Sequence, residues 1–168
     1  MNDKAFIDTN IWVYAHLQDT KNNKCDTALE LLETLPQLIC STQVLNEYYS
    51  VMLKNKIADN LIQDNTEIII AVSNVQVIQI STIQQAHKIK LKYGFSYWDN
   101  KIVASALEAN CEQLYSKNNC SCIIDSKWHI GKTYGIAYIL FGCKNATQKL
   151  SRVIIRIKFV EFYQLKRR

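Results

Sequence analysis

The spacing of apolar positions changes several times along the chain, and each change marks an element. Lys4–Asp8 is a short apolar run closed by an acid, and Thr9–Leu17 follows with helical spacing, so a strand running into a helix is predicted. Cys25–Leu35 places Ala28, Leu29, Leu31, Leu32 and Leu35 on one face, and Pro36 stops that helix. Gln37–Ser41 reads as a short strand. Ser41 or Thr42 then caps a helix that turns Val44, Leu45, Tyr48, Val51 and Met52 inward. Asn60–Val72 is predicted helical, Val75–Ile80 a β-rich strand, and Thr82–Lys92 a helix closed by Gly94. Tyr97–Asn110 is a further helix, Glu112–Ser116 a strand, and Ile123–Asp125 a candidate short strand.

Strand and helix thus alternate four times. Alternation of this kind implies parallel strands joined by right-handed helical crossovers: an α/β three-layer sandwich with a parallel central sheet flanked by helices. Chemistry in such folds lies beyond the C-terminal ends of the strands. That rule points to Asp8-Thr9-Asn10, the early helix around Glu47, the segment around Asp99, and Ser116-Lys117-Asn118.

Three of these segments place an acid where an acid is costly. On a helical wheel started at Trp98, Asp99 falls at roughly 100°, between Ile102 at about 40° and Val103 at about 140°. A carboxylate in such a stripe needs a partner or a proton. Glu47 borders the buried face of its helix, and Asp8 ends an apolar strand. Each has an ordinary role when taken singly: Asp99 in an exchange with Ser96 at the helix start, Glu47 as an edge residue paired with a Lys such as Lys54, Asp8 as an N-cap. Taken together, three carboxylates from separate segments are expected on one side of the sheet, with no strand-end Lys or Arg to offset them. Hard oxygen ligands that repel one another suit Mg²⁺ or Mn²⁺.

Composition narrows the classes. In 168 residues, 48% are hydrophobic and 21% charged, with four Gly and one Pro, which suits one folded domain with an appendage and excludes a disordered or low-complexity chain. The formal charge of +5 is unevenly spread. Residues 131–168 hold nine Lys/Arg and one acid, net +8, whereas residues 1–130 hold 11 basic and 14 acidic groups, net −3. The first 130 residues therefore form the expected domain, and 131–168 a basic C-terminal extension. Ser151–Tyr163 in it fits either a strand or an irregular helix, and its cations suit either contact with RNA phosphate or no ordered role. The N-terminus has no signal-like apolar stretch, so a cytoplasmic setting with reduced thiols is expected for the six cysteines. Cys120, Cys122 and His129 lack the spacing of a structural zinc site. Tyr134–Cys143 is about half of the ~20 apolar residues a membrane helix needs, so no membrane association is expected.

The motifs F-I-D-T-N-I (Phe6–Ile11), V-L-N-E-Y-Y (Val44–Tyr49) and S-Y-W-D-N-K-I-V-A-S-A (Ser96–Ala106), with C-E-Q-L-Y-S (Cys111–Ser116) and I-I-D-S-K (Ile123–Lys127), resemble PIN-domain proteins of the VapC toxin type. The resemblance spans residues 4–130. It implies a PIN-like fold and a Mg²⁺- or Mn²⁺-dependent endoribonuclease, a homodimer held in check by a cognate antitoxin protein. It assigns Asp8, Glu47 and Asp99 as catalytic, metal-binding acids, Thr9, Asn10 and Ser116 as supporting residues, and leaves the three histidines as bystanders. RNA is the implied substrate. Relatives typically carry an acidic pair where this chain has Lys117-Asn118. That departure makes the site less negative, leaves Asn118 as an additional ligand through its carbonyl only, and favours one metal over two. It also opens an alternative: a catalytically degenerate PIN module that binds antitoxin or RNA without cutting. A flap-nuclease-like DNA enzyme of the same fold would need extra helical segments that this short chain lacks.

Overall fold

The first strand, β1 (Lys4–Ile7), is almost wholly buried and lies at the centre of a parallel four-stranded sheet. The computed structural model describes residues 4–17 and 24–116. After β1 come α1 (Thr9–His16), α2 (Lys24–Thr34), β2 (Gln37–Ser41), α3 (Thr42–Lys54), α4 (Asp59–Val72), β3 (Asn74–Gln76), α5 (Ile80–Tyr93), α6 (Tyr97–Glu108) and β4 (Gln113–Tyr115). The predicted α/β fold class is the observed one, with the parallel sheet flanked by helices.

The sheet order is β3-β2-β1-β4. The chain steps outward from β1 through β2 to β3 and then returns to place β4 on the other side of β1. Strand order therefore reverses between β1 and β4, which is the position where open parallel sheets leave a crevice beyond their C-terminal ends. Register is explicit: Phe6 pairs with Ile39 and Leu114, Ile7 with Tyr115, and Ser41 with Gln76. The Asp8 backbone N–H extends this ladder by donating to the Tyr115 carbonyl at 2.9 Å.

The core is built on Phe6, Ile7, Trp12, Val44, Tyr48, Met52, Ile62, Ile69, Ile89 and Val103, all buried. Of the residues expected inward on α3, Val44, Tyr48 and Met52 are buried, while Leu45 and Val51 pack only partly against the cluster. Helices α3 and α6 both pack on β2, and α5 packs on α6. A hydrogen bond from Thr82 Oγ1 to Glu108 Oε2 at 2.5 Å ties the last two together. Cys25, Cys40 and Cys111 are free thiols. No helix among the described residues is long and apolar enough to cross a membrane.

Two local expectations are corrected. The strand predicted over Val75–Ile80 is only Asn74–Gln76, and Ile80 already belongs to α5. Its partner β2 ends at Ser41, which pairs with Gln76, so no ladder is available beyond that residue whatever the β-propensity of the sequence. Thr82 Oγ1 instead accepts from the Gln79 N–H at 3.0 Å and closes the start of α5. Ser41 precedes α3, but its side chain makes no capping bond, and Thr42 Oγ1 accepts from the Ile78 N–H at 3.2 Å. The candidate strand Ile123–Asp125, the Cys120/Cys122/His129 group, Lys117-Asn118 and the extension all lie outside the described residues.

Candidate functional site

Asp8 stands where β1 ends, beside the reversal in strand order, and is 7% exposed. It is the N-cap of α1, as the ordinary reading has it, but its carboxylate does more than cap. Oδ1 accepts from the Thr9 N–H at 2.7 Å, and Oδ2 accepts from Asn10 Nδ2 at 3.3 Å and from Ser116 Oγ at 2.5 Å. The last bond crosses from β1 to the residue after β4. Asn10 and Ser116 therefore both hold the Asp8 carboxylate by hydrogen bonds. Burial raises the Asp8 pKa above the ordinary carboxylate value, the three hydrogen bonds oppose the rise, and the charge of Asp99 adds to it.

Glu47 lies on α3 and is half-buried. Its Oε2 accepts from Thr9 Oγ1 at 3.1 Å, and its Oε1 accepts from Gln43 Nε2 at 2.7 Å. Thr9 thus bridges the first two acids, giving its N–H to one and its hydroxyl to the other. Burial raises the Glu47 pKa, the bonds from Gln43 and Thr9 lower it, Asp8 raises it, and Lys101 lowers it. The cation whose field reaches Glu47 is thus Lys101 on α6. Lys101 is a helix residue, so it lies outside the expectation, which concerned strand ends alone.

Asp99 lies in the first turn of α6. It falls within the buried arc of the wheel, yet it is only partly buried, beside a fully buried Asn100. The exchange with Ser96 is present: Ser96 Oγ donates to Asp99 Oδ2 at 2.8 Å and accepts from the Asp99 N–H at 3.1 Å. The neighbouring Asn100 is fully buried, its Nδ2 donating to the carbonyls of Phe95 and Ser96. This anchors the loop that presents Asp99.

Gln43 was not singled out in the sequence, and its role needs two elements to be seen together. Its Nε2 donates to Glu47 and, at 3.3 Å, to the Trp98 carbonyl, tying α3 to the start of α6. Both targets are acceptors, which fixes the amide orientation and leaves Oε1 without a partner. Ser41 Oγ is also buried and unpartnered. The only sequence signal was a helical spacing of four between Gln43 and Glu47.

The donor set has the chemistry of a hard divalent cation site: carboxylate oxygens in a partly desolvated setting, two of them with raised pKa, and unsatisfied oxygens nearby. The enclosure is not ready-made, because no group of three His, Cys, Asp or Glu side chains among the described residues stands close enough to hold a metal ion. Asp8 and Glu47 are brought together through Thr9, while Asp99 meets Asp8 through its charge.

A parallel sheet with acids gathered at its strand-order reversal defines a class, and comparison with known proteins names it. The chain matches the PIN domain family over residues 5–119 and belongs to that family. Its structural neighbours are VapC-type toxin–antitoxin proteins. The sarcin–ricin-loop-cleaving toxin VapC20 of Mycobacterium tuberculosis is 18% identical with a TM-score of 0.57, over 67% of this chain and 88% of that one. A toxin–antitoxin complex from Klebsiella pneumoniae is 19% identical with a TM-score of 0.56, over 70% and 88%. VapBC2 of Rickettsia felis, bound to a DNA fragment from its promoter, is 20% identical with a TM-score of 0.53, over 68% and 88%. No curated protein matches the chain.

Proposed function

We propose that the chain is a Mg²⁺- or Mn²⁺-dependent endoribonuclease acting as the toxin of a toxin–antitoxin pair. The observation that carries this reading is the Thr9 bridge: one residue holds Asp8 and Glu47 in a fixed relation at the strand-order reversal, with Asp99 in electrostatic reach. Asp8, Glu47 and Asp99 are the residues that would hold the cation, joined by Asn118 through its carbonyl. A bound cation supplies neutralisation of a scissile phosphate and a water acidic enough to attack it. The protein's own work is positional. Thr9, Asn10 and Ser116 fix the Asp8 carboxylate, Gln43 and Thr9 fix Glu47, and Ser96 fixes Asp99. No covalent nucleophile is needed. The proposal includes a homodimer and an antitoxin partner, and the toxin–antitoxin complexes among the structural neighbours support a protein inhibitor.

A second reading has its own support. Lys117-Asn118 replaces the family's acidic pair, and the described acids do not form a closed metal cluster. Both observations suit a PIN module that binds without cutting. The test is cleavage of structured RNA with Mn²⁺. The enzyme reading expects slow cutting by the wild type, none by Asp99→Ala, and none in EDTA. A wild type inert across metals and substrates, with activity appearing in Asn118→Asp, establishes the degenerate module instead.

A further inference from the structure

Beside the acids an open groove of about 410 Å³ runs between α3 and α6, walled by Thr42, Gln43, Asn46, Glu47, Trp98 and Lys101. Its size lies within the ~300–1,000 Å³ range of sites for small organic groups. Trp98 is 58% exposed although Ile102, Val103 and Ala106 on the same helix are buried. An indole this open has a large desolvation gain to make against a flat partner. Lys101 Nζ lies 4.0 Å from the Trp98 ring centroid and 4.9 Å from that of Tyr97. The two rings hold the ammonium at the groove wall, in the field of Glu47.

We propose that this groove is a nucleotide subsite, in which a base of single-stranded RNA stacks on Trp98 and the adjoining phosphate meets Lys101. The inference rests on the ribonuclease reading for its substrate class and adds the place where the strand is gripped. Three features favour a nucleotide over other occupants. The Lys101 ammonium already covers one face of the Trp98 ring at 4.0 Å, so a base takes the other face of the indole with a cation across the ring from it. Stacking on an aromatic ring with a neighbouring cation is the general mode by which proteins grip single strands. The groove also shares Glu47 and Gln43 with the acid site, so a base seated there brings its own backbone towards the carboxylates. Gln43 holds the two walls together through Glu47 and the Trp98 carbonyl, which fixes the backbone that carries the indole.

The test is binding without chemistry. A fluorescein-labelled single-stranded RNA tetranucleotide is titrated in EDTA and followed by anisotropy. Trp98→Ala is expected to weaken binding by roughly 5- to 150-fold, the affinity equivalent of one stacked base, with partial recovery in Trp98→Phe. Lys101→Met is expected to weaken binding and flatten the salt dependence by about 0.7 in log–log slope, the value for one phosphate on a single strand. Ribose 5-phosphate, which has no base, should not distinguish wild type from Trp98→Ala. The proposal is overturned if the wild type does not bind the tetranucleotide, or if a Trp98→Ala protein with unchanged Tm binds it as tightly as wild type. A chain that grips RNA through Trp98 but never cuts it refutes the nuclease reading and keeps the subsite. One that cuts with KM unchanged by Trp98→Ala does the reverse.

Discussion

Asp8 carries the tension between stability and function in this chain. A raised carboxyl pKa means that folding is favoured while the group is protonated, and that this contribution is lost as pH rises through the folded value. At neutral pH the buried charge therefore works against the fold. Asp8→Asn removes the charge while Oδ1 keeps the Thr9 N–H, and Asn10 and Ser116 can each reverse their bonds by rotating. The expected outcome in metal-free buffer at pH 7.5 is a higher Tm, with the stabilisation by added Mn²⁺ abolished. A lower Tm in the variant would show that the carboxylate is fully compensated by its hydrogen bonds. His16 offers a second residue-scale prediction. Burial lowers its pKa from 6.5 to about 4, and the Tyr48 hydroxyl lies 3.1 Å from Nδ1. The unfolded chain thus binds a proton that the folded one refuses, so stability falls as pH drops from 6.5 towards 4. At about 1.4 kcal/mol per pKa unit the full effect is of the order of 3 kcal/mol. Urea titrations at pH 7 and pH 4.5 should show this loss in the wild type and a smaller one in His16→Gln.

At the scale of elements, helix ends in the left-handed region are the places to probe. Gly94 ends α5 at φ 71°, and Lys56 and Asn110 occupy similar backbone at φ 61° and 54°. Gly94→Ala meets no neighbour within 4 Å, so its cost is backbone strain alone, about 1 kcal/mol. Lys56→Gly should gain about 0.5–1 kcal/mol by relieving the same strain. Thermal melts of the two variants should therefore move in opposite directions. The β1–α1 and β2–α3 boundaries were readable in the sequence because apolar spacing changes there over a few residues. The length of β3 was not, since it depends on where its partner β2 stops, a distant fact that no local propensity contains. Asp8, Glu47 and Asp99 were readable as acids out of place. Gln43 and Lys101 escaped notice because each works across two helices and neither is conspicuous on its own.

For the whole molecule, the net +5 is the sum of a −3 segment and a +8 segment, so it does not describe the surface around the site. The buried apolar core of the described residues runs from Ala5 to Leu114 and closes the sheet on both sides of β1. A chain ended after Ile130 is accordingly expected to fold, with a far-UV circular dichroism spectrum and a Tm close to those of the full chain. Loss of a cooperative melt on truncation would instead make residues 131–168 part of the domain.

Cleavage of RNA by this chain would require the three acids to act together towards a cation. Calorimetric titration of Mn²⁺ into the metal-free protein at pH 7.5 addresses that directly, with Asp8→Asn as the comparison. The expected result is one binding event in the wild type that disappears in Asp8→Asn. Equal heats and affinity in the two proteins, or no binding by the wild type at millimolar Mn²⁺, would contradict a metal site at the end of β1.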